Sequence, residues 1–337
     1  MNCFYASVEM MLNPELQGKA VAVCGSTENR HGIVLAKSEK AKQAGIKTGM
    51  VNWEAKRLCP DLILVPPQYE QYLKYSNMAR EIYQEYTDLV EPYGMDECFL
   101  DVTASQVLYG SGKEIADQIR CRMKNELGLT VSIGISFNKI FAKLGSDYKK
   151  PDGITVFSKE NYKEQLWRLP AADLLYVGRS TRNTLDRYGI QTIGELALAD
   201  SKFLERLFGK MGLVLYSFAN GWDESPVSAQ GYEAPIKSIG NSTTTPRDLE
   251  NNLDVQIVLM ALAESVAARL RKHGFKCKVV SITIRDNGLY SFSRQKKLER
   301  PTDITNEIMT AAYLLFKENY NWNHPIRSLG IRAENLG

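Results

Sequence analysis

The segment Tyr93-Gly94-Met95-Asp96-Glu97-Cys98-Phe99-Leu100-Asp101 places two adjacent carboxylates, Asp96 and Glu97, between a glycine and a short apolar run. Neighbouring side chains on a regular strand point to opposite faces of a sheet. Both carboxylates can therefore face one site only at a strand end or in a tight turn, and Gly94 supplies such a turn. Because two adjacent acids are more often simply solvated, this segment needs support from the rest of the chain.

A second run, Met1-Asn2-Cys3-Phe4-Tyr5-Ala6-Ser7-Val8-Glu9, places two neighbouring aromatic residues at the start of the chain. Aromatic rings beside a pair of acids could form a nucleotide site next to a metal site. The alternative for Phe4 and Tyr5 is ordinary core packing, which this run taken alone favours.

The composition is typical of a soluble protein with several domains. The 337 residues exceed one typical core, and 44% of them are hydrophobic and 24% charged. We expect neither a membrane span nor a secretory signal, because no apolar window approaches about 18 residues and no basic and apolar leader is present. Six scattered cysteines without a CxxC pair predict no zinc site or disulfide framework, and hence a cytoplasmic protein.

Charge is distributed unevenly along the chain. Residues 235–337 carry 15 basic and 10 acidic side chains, whereas the remaining residues carry 27 basic and 29 acidic ones. A basic C-terminal module predicts a surface that follows a phosphate backbone. The alternative is a solvated face on an ordinary domain.

Hydrophobic periodicity predicts strands alternating with helices in the first half of the chain. Strands are expected over residues 20–24, 32–36, 95–102 and 129–135, and helices over 38–45, 51–58, 69–90, 115–127 and 139–148. Residues 159–222 are typical of short helices, and a polar linker follows. The last part has a βαββαβ pattern over residues 236–244, 253–273, 276–285, 289–298, 303–318 and 326–331. The predicted fold class is α/β (α+β) with several domains.

In order and spacing, these segments resemble the Y family of lesion-bypass DNA polymerases, and most closely its bacterial DNA polymerase IV-like members, with the mutagenesis polymerases second. The resemblance extends from residue 1 to about residue 335. It implies a right-hand polymerase with a palm (1–10 and 68–157), small fingers (11–67), a helical thumb with a helix-hairpin-helix element (158–224), a linker (225–234) and a βαββαβ little finger (235–337).

The resemblance also implies a reaction, in which the enzyme adds a deoxynucleotide to a primer 3′ end and releases pyrophosphate. Such transfer depends on divalent cations that neutralise the phosphates, and magnesium accepts carboxylate and phosphate oxygens. Asp96, Glu97 and the backbone carbonyl of Met1 would hold two Mg²⁺ ions, with Glu97 acting near the primer 3′-hydroxyl. The family implies low fidelity and translesion synthesis in DNA repair.

The resemblance implies nucleotide-binding roles for four residues, which are Phe4, Tyr5, Lys42 and Lys150. Phe4 and Tyr5 match the segment beneath the nucleotide, where Tyr5 would be the steric gate whose ring leaves no room for a 2′-hydroxyl. Lys150, before Pro151, would contact the triphosphate as a point charge. In the segment 32–45, relatives often carry an aromatic residue and an arginine where this chain has Glu39 and Lys42. Lys42 can still pair with a phosphate, whereas Glu39 cannot.

Contacts with the DNA backbone are implied at two further places. In the hairpin 177–181, backbone N–H groups around Gly178, Arg179 and Ser180 would hold a phosphate, although Tyr176 stands where many relatives have glycine. The opening strand of the little finger would follow the duplex. Its predicted contacts are Lys237, Ser238, Gly240 and Thr243, and Arg285, Arg294, Lys296 and Lys297 could extend the surface.

The chain departs from the family at its start. In relatives, a buried strand ending in an Asp that bridges both metals precedes the residue that matches Met1. We expect a fragment or a shortened reading of the gene, with a catalytically decayed DNA-binding relative as the alternative. An unrelated nucleotide-binding enzyme also stays open. The expected partners are primer-template DNA, deoxynucleoside triphosphates and a sliding clamp, with a monomeric chain and no membrane.

Overall fold

The aromatic run at the start of the chain folds into a helix. The structure is a computed structural model that describes residues 1–28, 32–232 and 235–337. Helix α1 (Phe4–Leu12) buries Phe4, Ala6 and Val8 and follows Cys3 in the left-handed backbone region. The last two residues of the predicted linker, 233 and 234, lie outside the described residues.

The chain divides into two units, which are Met1–Val23 with Ala36–Lys47 and Lys56–Tyr232, and Cys24–Leu35 with Thr48–Ala55 and Glu233–Gly337. A small layer follows α1 and consists of β1 (Val21–Cys24), β2 (Val34–Lys37), α2 (Glu39–Gln43), α3 (Asn52–Leu58) and β3 (Ile63–Val65). Its strands lie in the order β2-β1-β3, with β1 and β3 parallel. The four strand and helix predictions between residues 20 and 58 are confirmed to within three residues.

The next segment holds the elements that carry the paired acids. They are α4 (Tyr69–Gln84), β4 (Val90–Pro92), β5 (Cys98–Leu100), α5 (Gln106–Tyr109), α6 (Gly112–Leu127), β6 (Ile133–Ser136), α7 (Lys139–Tyr148) and β7 (Ile154–Phe157). Strands β4 and β5 form an antiparallel hairpin, and β6 and β7 pair in parallel around α7. Helices α4 and α6 and the buried face of α1 share one hydrophobic core.

Four sequence predictions in this segment were wrong at one end or both. The helix predicted over 69–90 ends at Gln84, because residues 90–92 pair with β5 instead of continuing the helix. The strand predicted over 95–102 is shorter, since residues before Cys98 form the hairpin loop. The strand predicted over 129–135 begins only at Ile133. Helix α6 begins before the predicted residue 115, because Ser111 and Glu114 form a capping box.

Close backbone contact brings β6 against α7. A Cβ atom on Gly134 would lie 1.9 Å from the carbonyl oxygen of Ala142 and 2.4 Å from the backbone nitrogen of Ser146. Only glycine therefore allows this approach. Asn138 caps α7 by accepting a hydrogen bond from the Phe141 backbone N–H at 2.8 Å, so the helix begins at the predicted residue. Its end at Tyr148 also agrees with the prediction.

Short helices occupy the rest of the first unit, as predicted. They are α8 (Tyr162–Leu166), α9 (Arg179–Arg187), α10 (Ile193–Leu198), α11 (Ser201–Phe208) and α12 (Lys210–Ala219). Their apolar faces pack around a second core together with Phe141 and Phe157. None of the described helices combines the length and the apolar character needed to cross a membrane.

The second unit confirms the predicted βαββαβ order. The elements of its C-terminal part, residues 235–337, are β8 (Ser238–Leu249), α13 (Asn252–His273), β9 (Cys277–Asp286), β10 (Ser291–Thr302), α14 (Thr305–Asn319) and β11 (Ile326–Leu336). The sheet is antiparallel with the order β10-β9-β11-β8. Alternate residues such as Val280, Ile282 and Ile331 share a core with both helices, so the other sheet face is open.

Candidate active site

The loop that carries Asp96 is fixed through its backbone. Three consecutive carbonyl groups accept hydrogen bonds: Gly94 from the Arg80 guanidinium, Met95 from the Ser76 hydroxyl and Asp96 from the Met1 nitrogen. The Met1 contact is 2.6 Å long. Because these bonds hold the backbone, the two acidic side chains have a defined starting direction.

Both acids open into one cleft, as the turn at Gly94 predicts. Asp96 and Glu97 precede β5, so the alternation of a strand does not turn them apart. The cleft measures about 480 Å³, and Met1, Lys143 and Lys150 also line it. Residues far apart in sequence therefore meet at the carboxylates.

An alternating chain of charges extends from Glu97 along α7. The Lys143 ammonium lies 2.8 Å from a Glu97 oxygen and 3.0 Å from an oxygen of Asp147. The Lys150 ammonium lies 2.5 Å from the other oxygen of Asp147. Lys143 and Asp147 are four residues apart on α7, which places them on neighbouring turns, and Lys150 follows just after the end of the helix.

The charged groups of this series shift the pKa values of Lys143 and Asp147. Burial opposes the charge on Lys143, but hydrogen bonds to Glu97 and Asp147 outweigh it and raise the pKa of the ammonium. Burial likewise works to raise the pKa of Asp147, but hydrogen bonds from Lys150 and Lys143 outweigh it and lower that pKa. Both groups are therefore held in their charged forms near neutral pH.

The donor set at the acids fits a hard divalent cation that also binds a substrate. Magnesium is commonly held by one or two carboxylates together with phosphate oxygens and waters. Asp96 and Glu97 supply two carboxylates on one cleft. In the described part of the chain, no group of three or more acidic, histidine or cysteine side chains is gathered as a metal site.

The stacked rings of Tyr5 and Tyr72 form an aromatic wall next to the acidic loop, which is the loop that carries Asp96 and Glu97. The Tyr5 ring stacks on Tyr72 at 4.1 Å with the planes inclined by 10°, and its hydroxyl contacts the Met95 sulfur at 3.2 Å. Phe4 is 4% exposed and packs into the core, whereas Tyr5 is half-buried. The two neighbouring rings thus occupy different environments. Tyr5 contacts Met95, the residue before Asp96, but it does not itself line the cleft.

The other two predicted phosphate contacts are lysines with acidic neighbours. Lys42, on α2, lies 3.4 Å from Glu39, and Glu39 also accepts a weak contact from the Cys3 sulfur at 3.8 Å. Half of the Lys42 side chain is exposed. Lys150 is paired with Asp147 as described above. To bind a phosphate, each lysine must therefore either contact the phosphate and its carboxylate together or break its ion pair.

The predicted hairpin of the thumb begins a helix at Gly178. This residue is the N-cap of α9, is exposed, and has open space where a Cβ would stand. Arg179 and Ser180 form the exposed first turn. Tyr176 has a φ of 71°, a conformation that favours glycine, and its ring stacks on Phe218 at 5.9 Å. A backbone conformation that favours glycine thus forms here with tyrosine.

Strand register sorts the predicted contacts of the second unit between two faces. Ser238 and Gly240 lie on the open face, where they pair with Glu334 and Arg332. Thr243 lies on the helix-facing side, as does Asn241, which bonds Ser265 of α13. Lys237 precedes the strand and is exposed.

The basic residues of β9 and β10 divide in the same way. Arg285 pairs with Ser291, and Lys297 with Val279, on the open face. Arg294 and Lys296 pair with Ile282 and Val280, whose side chains belong to the core. The open face therefore presents arginines, a lysine and the acid Glu334 among serines, threonines and glycine. Half of the four predicted basic residues point away from it.

Sequence reasoning missed four residues that build the site. Lys143 and Asp147 form the charge chain, Ser76 holds the loop, and Glu9 binds Tyr72 beneath Tyr5. The lysine and aspartate share the helical spacing of an ion pair, which is a usable signal. Contacts of Ser76 and Glu9 join distant segments, so no local pattern indicates them.

Comparisons with known proteins agree with this architecture. The impB/mucB/samB family matches residues 1–147, and the C-terminal domain of that family matches residues 236–337. The chain is similar to DNA polymerase IV of Acetivibrio thermocellus, with 53% identity over 100% of this chain and 84% of that protein. It is 42% identical to DNA polymerase IV 1 of Bacillus subtilis, over 100% of this chain and 80% of that protein.

A solved structure supports the fold. A Y-family DNA polymerase chimera superposes with a TM-score of 0.88 at 24% identity, over 99% of this chain and 96% of that one. The fold is therefore that of a right-hand polymerase with palm, fingers, thumb and little finger. The relatives named DNA polymerase IV place the chain in the class of DNA-directed DNA polymerases. Within that class the chain belongs to the impB/mucB/samB family, the Y family, among its DNA polymerase IV-like members.

Proposed function

We propose that the protein copies damaged DNA by adding deoxynucleotides to a primer 3′ end at the cleft of Asp96 and Glu97. The observation that carries this proposal is the meeting of both acids, Lys143 and Lys150 in one cleft next to Tyr5. These residues supply the two things that phosphoryl transfer needs, which are positive charge around the phosphates and a fixed place for the sugar.

Each side chain has a distinct task in this proposal. Asp96 and Glu97, with the backbone carbonyl of Met1, hold two magnesium ions, and Glu97 lies on the side of the primer hydroxyl. Bound magnesium would neutralise the triphosphate and the leaving pyrophosphate. Lys150 and Lys42 bind the triphosphate as point charges. Tyr5 lies under the sugar and excludes a 2′-hydroxyl, with the buried Phe4 behind it.

The remaining contacts hold the duplex without reading its sequence. The first turn of α9, at Gly178, Arg179 and Ser180, offers backbone N–H groups to a phosphate. In the second unit, the open sheet face offers Ser238, Gly240 and Arg285, and Lys237 precedes it. Phosphate contacts position a protein on DNA but carry no base information, which suits an enzyme that must copy any template.

Other parts of the proposal rest on family membership. They are a tolerant pocket with low fidelity, the domain limits given for palm, fingers, thumb, linker and little finger, action as a monomer, a cytoplasmic location and association with a sliding clamp. Of the predicted strand contacts, Thr243 is the weakest, because it lies on the helix-facing side of β8.

Primer extension with magnesium tests the reaction. The wild-type protein, expressed from its complete reading frame, should extend a primer-template with deoxynucleoside triphosphates. Glu97→Gln should reduce the rate roughly 1,000-fold, since it removes charge that a cation needs. Glu126→Gln, an exposed acid on α6, is the control and should keep the rate. Salt-sensitive DNA binding without extension, by the wild-type protein expressed from its complete reading frame, would instead support the decayed relative. Neither binding nor extension would support the unrelated enzyme.

A further inference from the structure

A buried carboxylate lies beneath the aromatic wall. Glu9 is 5% exposed, and its two oxygens accept hydrogen bonds from the Tyr72 hydroxyl and from the Gln68 amide, the latter at 2.7 Å. Among the described residues, no lysine, arginine or histidine forms an ion pair with it. Burying a carboxylate costs free energy that an apolar residue would not. A carboxylate at this buried position therefore indicates a specific role for Glu9.

Tyr72 connects this carboxylate to Tyr5. The Tyr72 side chain is fully buried, and its ring stacks almost parallel to Tyr5 at 4.1 Å. Burial and the hydrogen bond to Glu9 raise the pKa of the Tyr72 hydroxyl, so it stays a donor. The hydrogen bond to Glu9 restricts rotation of the Tyr72 side chain. The Tyr5 ring, which stacks on Tyr72, is therefore restricted as well.

Tyr5 is thus held on two sides. Tyr72 fixes the plane of its ring, and Met95 contacts its hydroxyl at 3.2 Å. Met95 directly precedes Asp96, and its carbonyl is bonded to Ser76, one helical turn beyond Tyr72 on α4. One face of α4 therefore supports both the ring and the acidic loop.

We propose that Glu9 is a positioning residue for sugar selection and acts through Tyr72 on Tyr5. The inference rests on the proposed role of Tyr5 as the steric gate. Exclusion of a 2′-hydroxyl works by clash, and a clash discriminates only if the ring cannot move aside. Glu9 touches neither the sugar nor the phosphates in this scheme, and its effect lies in keeping the ring rigid.

The test measures discrimination, defined as kcat/KM for dCTP divided by kcat/KM for CTP opposite a template guanine. Glu9→Leu keeps the volume and removes the acceptor, whereas Tyr72→Phe keeps the stacked ring and removes the donor. Each should lower discrimination roughly three- to tenfold, as expected for one hydrogen bond. Because both remove the same bond, the double variant should lose no more than the larger single variant.

Two controls separate this role from a general loss of stability. Glu70→Gln removes an exposed carboxylate from the first turn of α4 and should keep the wild-type discrimination. A tyrosine fluorinated on its ring at position 5 should show one ¹⁹F resonance in the wild type, which shifts or broadens in Tyr72→Phe. A protein destabilised elsewhere would lose activity on both nucleotides alike.

The outcomes are distinguishable. Tyr5→Ala should abolish discrimination, and if it does not, the proposed gate is wrong. If Tyr5→Ala abolishes discrimination while Tyr72→Phe and Glu9→Leu leave it unchanged, the gate stands and the role of Glu9 is refuted. Additive losses in the double variant would also refute it. Should Glu9→Leu fail to fold, Tyr72→Phe and the ¹⁹F signal decide the question.

Discussion

The acidic cleft and the open sheet face of the second unit would both bind phosphate, but they are built in opposite ways. The cleft depends on side chains from distant segments that hold one another, as in the chain from Glu97 through Lys143 and Asp147 to Lys150. The sheet face depends only on strand register, which places Ser238, Gly240 and Arg285 on one side. A substitution in the cleft should therefore affect the other residues of the cleft, whereas a substitution on the sheet face should affect only its own contact.

Gly134→Ala should give the largest effect, because it breaks the packing under the cleft. The new Cβ would lie 1.9 Å from a carbonyl oxygen of α7, so strand and helix must separate. We expect the free energy of unfolding to fall by about 3 kcal/mol, measured by denaturant titration with hydrogen exchange of α7. Gly112→Ala is the matched control. Its Cβ would lie at an ordinary 3.5 Å from the side chain of Ile135, the residue that follows Gly134 in the sequence. Equal losses in both variants would contradict this explanation.

The two regions were also predicted with different success from the sequence. The βαββαβ order of the second unit follows from hydrophobic periodicity and is confirmed. The face on which each residue lies depends on register, which a shift of one residue inverts. This is why Thr243, Arg294 and Lys296 were grouped with residues that the sheet places on the other side.

Lys143→Met should change the magnesium dependence of extension. The ammonium lies 2.8 Å from Glu97 and competes with a cation for the same carboxylate. Removing it should lower the magnesium concentration for half-maximal rate roughly three- to tenfold. Lys139→Met is a close control, because Lys139 is also on α7 and lies 2.8 Å from a different acid, Glu91. An unchanged or higher magnesium requirement in Lys143→Met would show that Lys143 does not oppose the metal.

Arg285→Ala tests the local character of the sheet face. If Arg285 pairs with a phosphate, its loss should weaken DNA binding several-fold on every sequence and reduce the slope of log affinity against log salt by about 1. Arg294→Ala is the control on the same sheet, because Arg294 lies on the opposite side and over the Phe292 ring. If the two variants weaken binding equally, register does not select the contacts.

The cleft was predictable only in part, for a physical reason. Asp96, Glu97 and Tyr5 lie in short runs whose residue types already indicate chemistry. Gly94 provides the predicted turn, with a φ of 84°. Glu9 and Ser76 act through contacts 63 and 19 residues away, which only the folded chain brings together. Tyr176 shows the converse, since a glycine conformation persists without glycine because the ring packs on Phe218.

The smallest expected effect concerns acid stability and tests the charge chain itself. Hydrogen bonds from Lys150 and Lys143 outweigh burial and lower the pKa of Asp147, so its stabilising contribution is present above the ordinary pKa of an aspartate. That contribution is lost as the pH falls through the lowered pKa. Because the side chain is 46% exposed, solvent limits it to less than about 1 kcal/mol. Unfolding free energies of wild type and Asp147→Asn should therefore differ at neutral pH and converge in acid. A difference that persists or grows in acid would show that Asp147 stabilises the helix by some means other than its charge.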